Sequence, residues 1–165
     1  ESAVLGITTE RALTFKSGRI NAAQIREIHR RLDPLPEALT KIVVTHHPFD
    51  LPDTPDRGAL VGRAGAAMKA FSTCGVDLLL AGHFHTSQTG DTSGRYELSG
   101  YAALVVQAGT ATSTRGRGEA NSFNVLRVSD AAVAVERRVW QPDSKGFALE
   151  RTEHFRREAA GWVEG

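Results

Sequence analysis

The chain has 165 residues, 41% of them hydrophobic, with 20 basic and 19 acidic side chains. That length suits one domain with a real core, and a formal charge of +1 leaves neither a clear nucleic-acid surface nor a polybasic membrane anchor. A single cysteine, Cys74, excludes an internal disulfide and agrees with a reducing, cytoplasmic setting, and no run reaches the roughly 18 apolar residues of a membrane span.

AVLGITTE at 3–10 predicts a strand with almost no lead-in, as if the chain opened in the middle of a domain. NAAQIREIHRRL predicts a helix. Asn21 is its cap and Gln24, three residues on, completes a capping box. Ile25, Ile28 and Leu32 make an apolar face against Arg26, Arg30 and Arg31. Pro34 and Pro36 end the helix. His29, among charged neighbours, reads as a solvated surface histidine. IVVT at 42–45 predicts a short strand that breaks at Pro48, and LPDTPDRG at 51–58 a loop. Alanines around Met68 and Phe71 predict a second helix over 61–73, ended by Gly75. VDLLLA at 76–81 is the next strand. Strand, helix, strand, helix, strand argues for an α/β layer with parallel strands.

After His85 the texture changes. GDTSGRYELSG is turn-rich, and ALVVQAGTAT, NSFNVLRVS, AVAVERRVW and FALERTEHF follow at short intervals. Their alternation predicts antiparallel strands, with turns at Ser129-Asp130 and at 143–146. The charged tail after Phe155 reads as frayed or a short helix. The expected fold is α/β, an α+β sandwich in which a mixed sheet is followed by antiparallel strands. It forms a single domain, 1–112 its α/β part and 113–158 its antiparallel part.

Two apolar strands end in histidine: IVVT runs into His46-His47-Pro48, and VDLLLA into Gly82-His83-Phe84-His85. Ligands bind outside the carboxyl ends of the strands in open α/β sheets. If these two strands are parallel neighbours, their histidines meet at one sheet edge. In extended chain, residues two apart share a side, so His83 and His85 face one site while Phe84 packs away. Gly82 lets the backbone turn tightly there. Neutral imidazole is a common metal ligand, and the paired strand ends favour metal binding over hydrogen-bonded polar termini. Carboxylates are lacking. Asp77 is at the wrong end of its strand, Asp50 lies beyond Pro48, and no aspartate makes a convincing paired ligand. Three histidines can hold one zinc but make a poor two-metal site.

VVTHHP at 43–48 and AGHFH at 81–85 resemble, in order and separation, the last two signature motifs of the calcineurin-like metallophosphoesterases. GRINAAQIREIHRRL is similar to the family's helix before the His-His-Pro strand. QAGTATSTRGRGEANSFN at 107–124 resembles the strand and loop after Gly-His-x-His in bacterial phosphodiesterase-like members. The resemblance implies a four-layer α/β/β/α fold, of which this chain is the C-terminal half. It implies two divalent ions (Mn, Fe or Zn), with His46 and His83 on one and His85 on the other. His47 matches a position beside the ligands, and Gly82 supports the turn. Arg115 and Arg117, whose forks suit phosphate oxygens, are candidate substrate clamps. Asn121 orders that loop or contacts substrate.

The implied activity is hydrolysis of a phosphoester, a small molecule or nucleotide and most readily a phosphodiester, by in-line attack on phosphorus. The family's Asp-x-His, Gly-Asp-x-x-Asp and Gly-Asn-His-Asp/Glu motifs do not occur in this sequence. They are expected from an N-terminal half of the same protein, and this chain alone is expected to be inactive. The contrasting expectation is a binding or scaffold module that keeps the fold without catalysis.

Overall fold

Asn21 opens the first helix as its side chain dictates. In the computed structural model, which describes residues 1–10, 18–51, 60–113, 118–159 and 161–165, its side chain accepts from the Gln24 N–H. The Gln24 side chain returns the bond to the Asn21 N–H. This capping box starts α1 (Ala22–Leu32). Ile28 and Leu32 are buried beneath it while Arg26, Arg30 and Arg31 face solvent.

Helix α1 connects β1 (Ser2–Ile7) to β2 (Thr40–Thr45), and α2 (Ala64–Cys74) connects β2 to β3 (Leu78–Ala81). Gly75 ends α2 in the left-handed conformation (φ 67°), its N–H reaching the Phe71 and Ser72 carbonyls. That is the glycine stop expected from the sequence. The three strands are parallel and adjacent. Right-handed crossovers in one direction put both helices on one face of the sheet, and the two helices touch.

The sheet is completed by β5 (Leu104–Gln107), parallel to β3, and by β4 (Gln88–Asp91), antiparallel at the edge. Its order is β1-β2-β3-β5-β4. The alternation of side chains explains the unbroken apolar runs. Val43, Leu79 and Val105 pack under the helices with Met68 and Phe71. Ile42, Leu78, Leu104 and Val106 point the other way, onto Val133, Val135, Phe155 and Trp162 of a second sheet. A strand covered on both faces has no need of a polar parity.

That second sheet is an antiparallel meander of β6 (Ser122–Val128), β7 (Ala132–Gln141), β8 (Gly146–Glu158) and β9 (Gly161–Glu164). The architecture is therefore a mixed sheet followed by antiparallel strands, layered helices, sheet, sheet. Among the described residues no helix covers the outer face of the second sheet.

The tail departs from the sequence expectation. It is neither frayed nor helical: β8 runs on to Glu158, and β9 adds a strand whose Trp162 is buried in the core between the sheets. The pleat lets both be satisfied: Trp162 points into the core while the charged residues around it stay exposed. Strand β4 was also not expected. QTGD carries no apolar alternation, and the backbone of β5 holds it in place.

Candidate functional site

Strands β2 and β3 pair in register from Ile42–Leu78 to Val44–Leu80, and just beyond them the Gly82 N–H donates to the His46 carbonyl. Parallel pairing therefore delivers both histidine-bearing strand ends to the same sheet edge. His83 Nδ1 lies 3.1 Å from His46 Nε2. The rings of His46, His47 and His83 are mutual neighbours with centroids 4.4 to 5.0 Å apart. Each offers a nitrogen within 4.8 Å of the others, close enough for one ion.

His47, expected beside the ligands, lies inside this group. It is buried, and Thr9 holds it: Thr9 Oγ1 is 2.9 Å from His47 Nδ1 and accepts the His47 N–H at 3.2 Å. Thr45 Oγ1 donates to the His47 carbonyl. Gly18 leaves room for the ring, because a Cβ there would stand 2.5 Å from Nδ1. Burial, and after it the neighbouring His83 and His46, pulls His47 below the usual histidine pKa, while Glu10 opposes. The ring is thereby kept in the neutral form that can offer a lone pair.

His85 stands apart from that group. Its backbone is left-handed (φ 62°), as is that of His83 (φ 78°), and its Nδ1 is buried with no hydrogen-bond partner among the described residues. A polar atom buried without a partner is costly. Gly82 takes no left-handed turn. Its carbonyl instead accepts from the buried Gln107 side chain of β5, which ties the loop to the neighbouring strand.

The segment before β6 closes over the same edge. Ser122 Oγ meets Ser87 Oγ at 3.2 Å, the Glu119 carboxylate accepts the Ser87 N–H, and the Gly109 N–H donates to Ser87 Oγ. Asn121 belongs to this segment, and its carbonyl accepts the Trp140 N–H. The two expected clamps, Arg115 and Arg117, lie outside the described residues. So does most of the 51–58 loop. Asp50 is fully engaged: it is 1% exposed and bound to the Arg95 guanidinium and the Leu51 N–H. Burial raises its pKa against the pull of Arg95. No carboxylate joins the three-histidine group among the described residues.

His29 is not the solvated histidine its charged neighbours suggested. It is half-buried, with Nδ1 3.2 Å from an Asp33 oxygen and 3.5 Å from Cys74 Sγ. The contact partner is 45 residues away in sequence, beyond the reach of helical periodicity.

No protein-family model and no curated protein matches the chain. Among solved structures, wild-type Vps29 from Entamoeba histolytica complexed with zinc aligns over 98% of both chains at 14% identity and a TM-score of 0.38. A predicted phosphoesterase from Streptococcus pneumoniae TIGR4 aligns over 93% of this chain and 97% of its own, at 12% identity and a TM-score of 0.39. Vps29 from Chaetomium thermophilum covers 94% and 96%, again at 12% and 0.39. At TM-scores this low the reading of the site rests on the chain's own residues.

Proposed function

We propose that this chain supplies the imidazole side of a divalent-metal centre for phosphoester hydrolysis, with phosphodiesters the favoured substrates. The observation that carries the reading is the meeting of His46 Nε2 and His83 Nδ1 at 3.1 Å, beyond two adjacent parallel strands. The donors fit an ion of the zinc, manganese or iron kind. His46 and His83 would share one ion. His47, fixed by Thr9 through Nδ1, would present Nε2 to the same ion or to substrate. His85, with its orphaned Nδ1, would serve a second ion. Bound ions would supply Lewis-acid polarisation of phosphoryl oxygen and a more acidic water.

The chain's own residues do the positioning. Thr9 and Thr45 orient His47, Gln107 anchors the Gly82 turn, and Asn121 is proposed to order its loop or contact substrate. Arg115 and Arg117 are proposed for the phosphate itself. Carboxylates that complete the centre would come from elsewhere in the same protein, and with its single cysteine the protein is proposed to work in the reducing cytoplasm. Among the described residues no helix is long and apolar enough to cross a membrane.

The test is His83→Ala in the full-length protein, assayed for metal-dependent hydrolysis of an aryl phosphodiester. A loss of about 100-fold or more is expected from removing a metal ligand. Unchanged turnover rules the reading out. Among the described residues no carboxylate joins the histidine group, and the alternative reading is a non-catalytic binding module with this architecture. Wild-type protein that retains little metal and turns over no phosphoester would establish it.

A further inference from the structure

The opposite end of the same sheet carries a second set of metal-ligating side chains. Both crossover helices run antiparallel to the strands, so their C-termini arrive together beside the strands' N-terminal ends. Asp33 is the C-cap of α1, His29 sits one turn before it, and Cys74 is the last residue of α2. We propose that His29, Asp33 and Cys74 form a separate binding site for a zinc-like divalent ion.

The geometry is the argument. Cys74 Sγ lies 3.0 Å from Asp33 Oδ1 and 3.5 Å from His29 Nδ1, and Nδ1 lies 3.3 Å from the same Oδ1. Tetrahedral zinc with metal–ligand bonds of about 2.0–2.3 Å sets its donors roughly 3.3–3.6 Å apart. The nitrogen–sulfur and nitrogen–oxygen edges match that length, and the sulfur–oxygen edge is about half an ångström short of it. Sulfur, nitrogen and oxygen together suit a borderline-soft ion better than magnesium or calcium. The two helix C-termini add partial negative charge at the same point.

One group opposes. Lys41 Nζ is buried and donates to the Cys74 carbonyl at 2.7 Å. Its charge repels a cation. The Asp77 carboxylate lies close by, accepting the Lys41 backbone N–H and the Arg157 guanidinium. Loss of the thiol proton on metal binding adds a further negative charge.

The site has an open side. Asp33 and Cys74 border a cavity of about 550 Å³ whose wall includes Lys41, Asp77, Arg157 and Trp162. The fourth coordination position therefore belongs to water or to a small anionic ligand drawn by Lys41 and Arg157. Thiol catalysis is the weaker use of these groups, because Cys74 is only 3% exposed.

Cobalt(II) titration of the purified protein under a non-thiol reductant tests the site without any turnover assay. The expected result is a sulfur-to-cobalt charge-transfer band in the near ultraviolet. The band should persist in a His46→Ala/His83→Ala double variant, vanish in Cys74→Ser, and need about tenfold more cobalt in His29→Ala. Wild-type protein that shows no such band up to millimolar cobalt overturns the proposal, as does a band that survives Cys74→Ser. If Cys74→Ser fails to fold, Asp33→Asn replaces it, since Asp33 is half exposed. The same tenfold weakening is expected there, and undiminished affinity refutes the site.

Discussion

The two ends of the five-stranded sheet share the same crossovers and hold different chemistry. At the carboxyl ends the strands run out into loops, the gathered donors are all nitrogen, and His46 is exposed. At the amino ends two helix termini deliver nitrogen, oxygen and sulfur from rigid elements. Donors on loops can be re-aimed by an ion, a substrate or further chain. Donors on packed helices keep their spacing whether or not a ligand is present. The first arrangement suits exchange and reaction, the second a resident ion.

Three measurements separate the ends further. The largest effect is expected in the segment that leaves the histidine-bearing strand β2. Arg95→Ala leaves Asp50 buried without its guanidinium and should lower stability by about 3–5 kcal/mol, read from chemical denaturation. A change under about 1 kcal/mol would mean that the segment after Pro48 opens to water, and that this end is looser than its packing. At the other end, Gly161 has φ 139°, and a Cβ there would stand 2.3 Å from the Ala102 carbonyl oxygen. Gly161→Ala should therefore cost about 2 kcal/mol. It should weaken the cobalt band while leaving the histidine end intact, and an equal effect on both would erase the contrast.

The smallest effect is a pH dependence. His47 has its pKa lowered from the ordinary 6.5 by burial and by His83 and His46. The unfolded chain then binds more protons than the folded one as the pH falls below that value. Stability should be full above about 6.5, fall as the pH drops below that value, and level off once the folded ring also takes up its proton. His47→Gln should flatten this slope in unfolding curves of metal-free protein, and a slope unchanged by the substitution would locate it elsewhere.

Much of this is legible in the sequence itself. Asn21 and Gln24 announce α1, Gly75 ends α2, and apolar runs closing on histidine mark β2 and β3. Local chemistry decides each of these. What escaped depends on partners distant in the chain. QTGD becomes β4 only because β5 offers it an edge. The charged tail becomes β9 because Trp162 finds Phe155 and Leu104. His29 looked solvated until α2 brought Cys74 to it. Period and spacing placed His83 and His85 on one side, whereas the left-handed turns at both residues break the extended geometry on which that inference rests.

Those turns have a further consequence. Left-handed backbone costs a side-chain-bearing residue about 1 kcal/mol relative to glycine, and His83 and His85 both occupy it. Glycine would relax the loop more cheaply at either position. Holding imidazoles there instead stores that strain in the loop. A ligand held by these imidazoles would offset that strain and keep the left-handed turns in place, so occupancy at this edge and the rigidity of the loop should rise together.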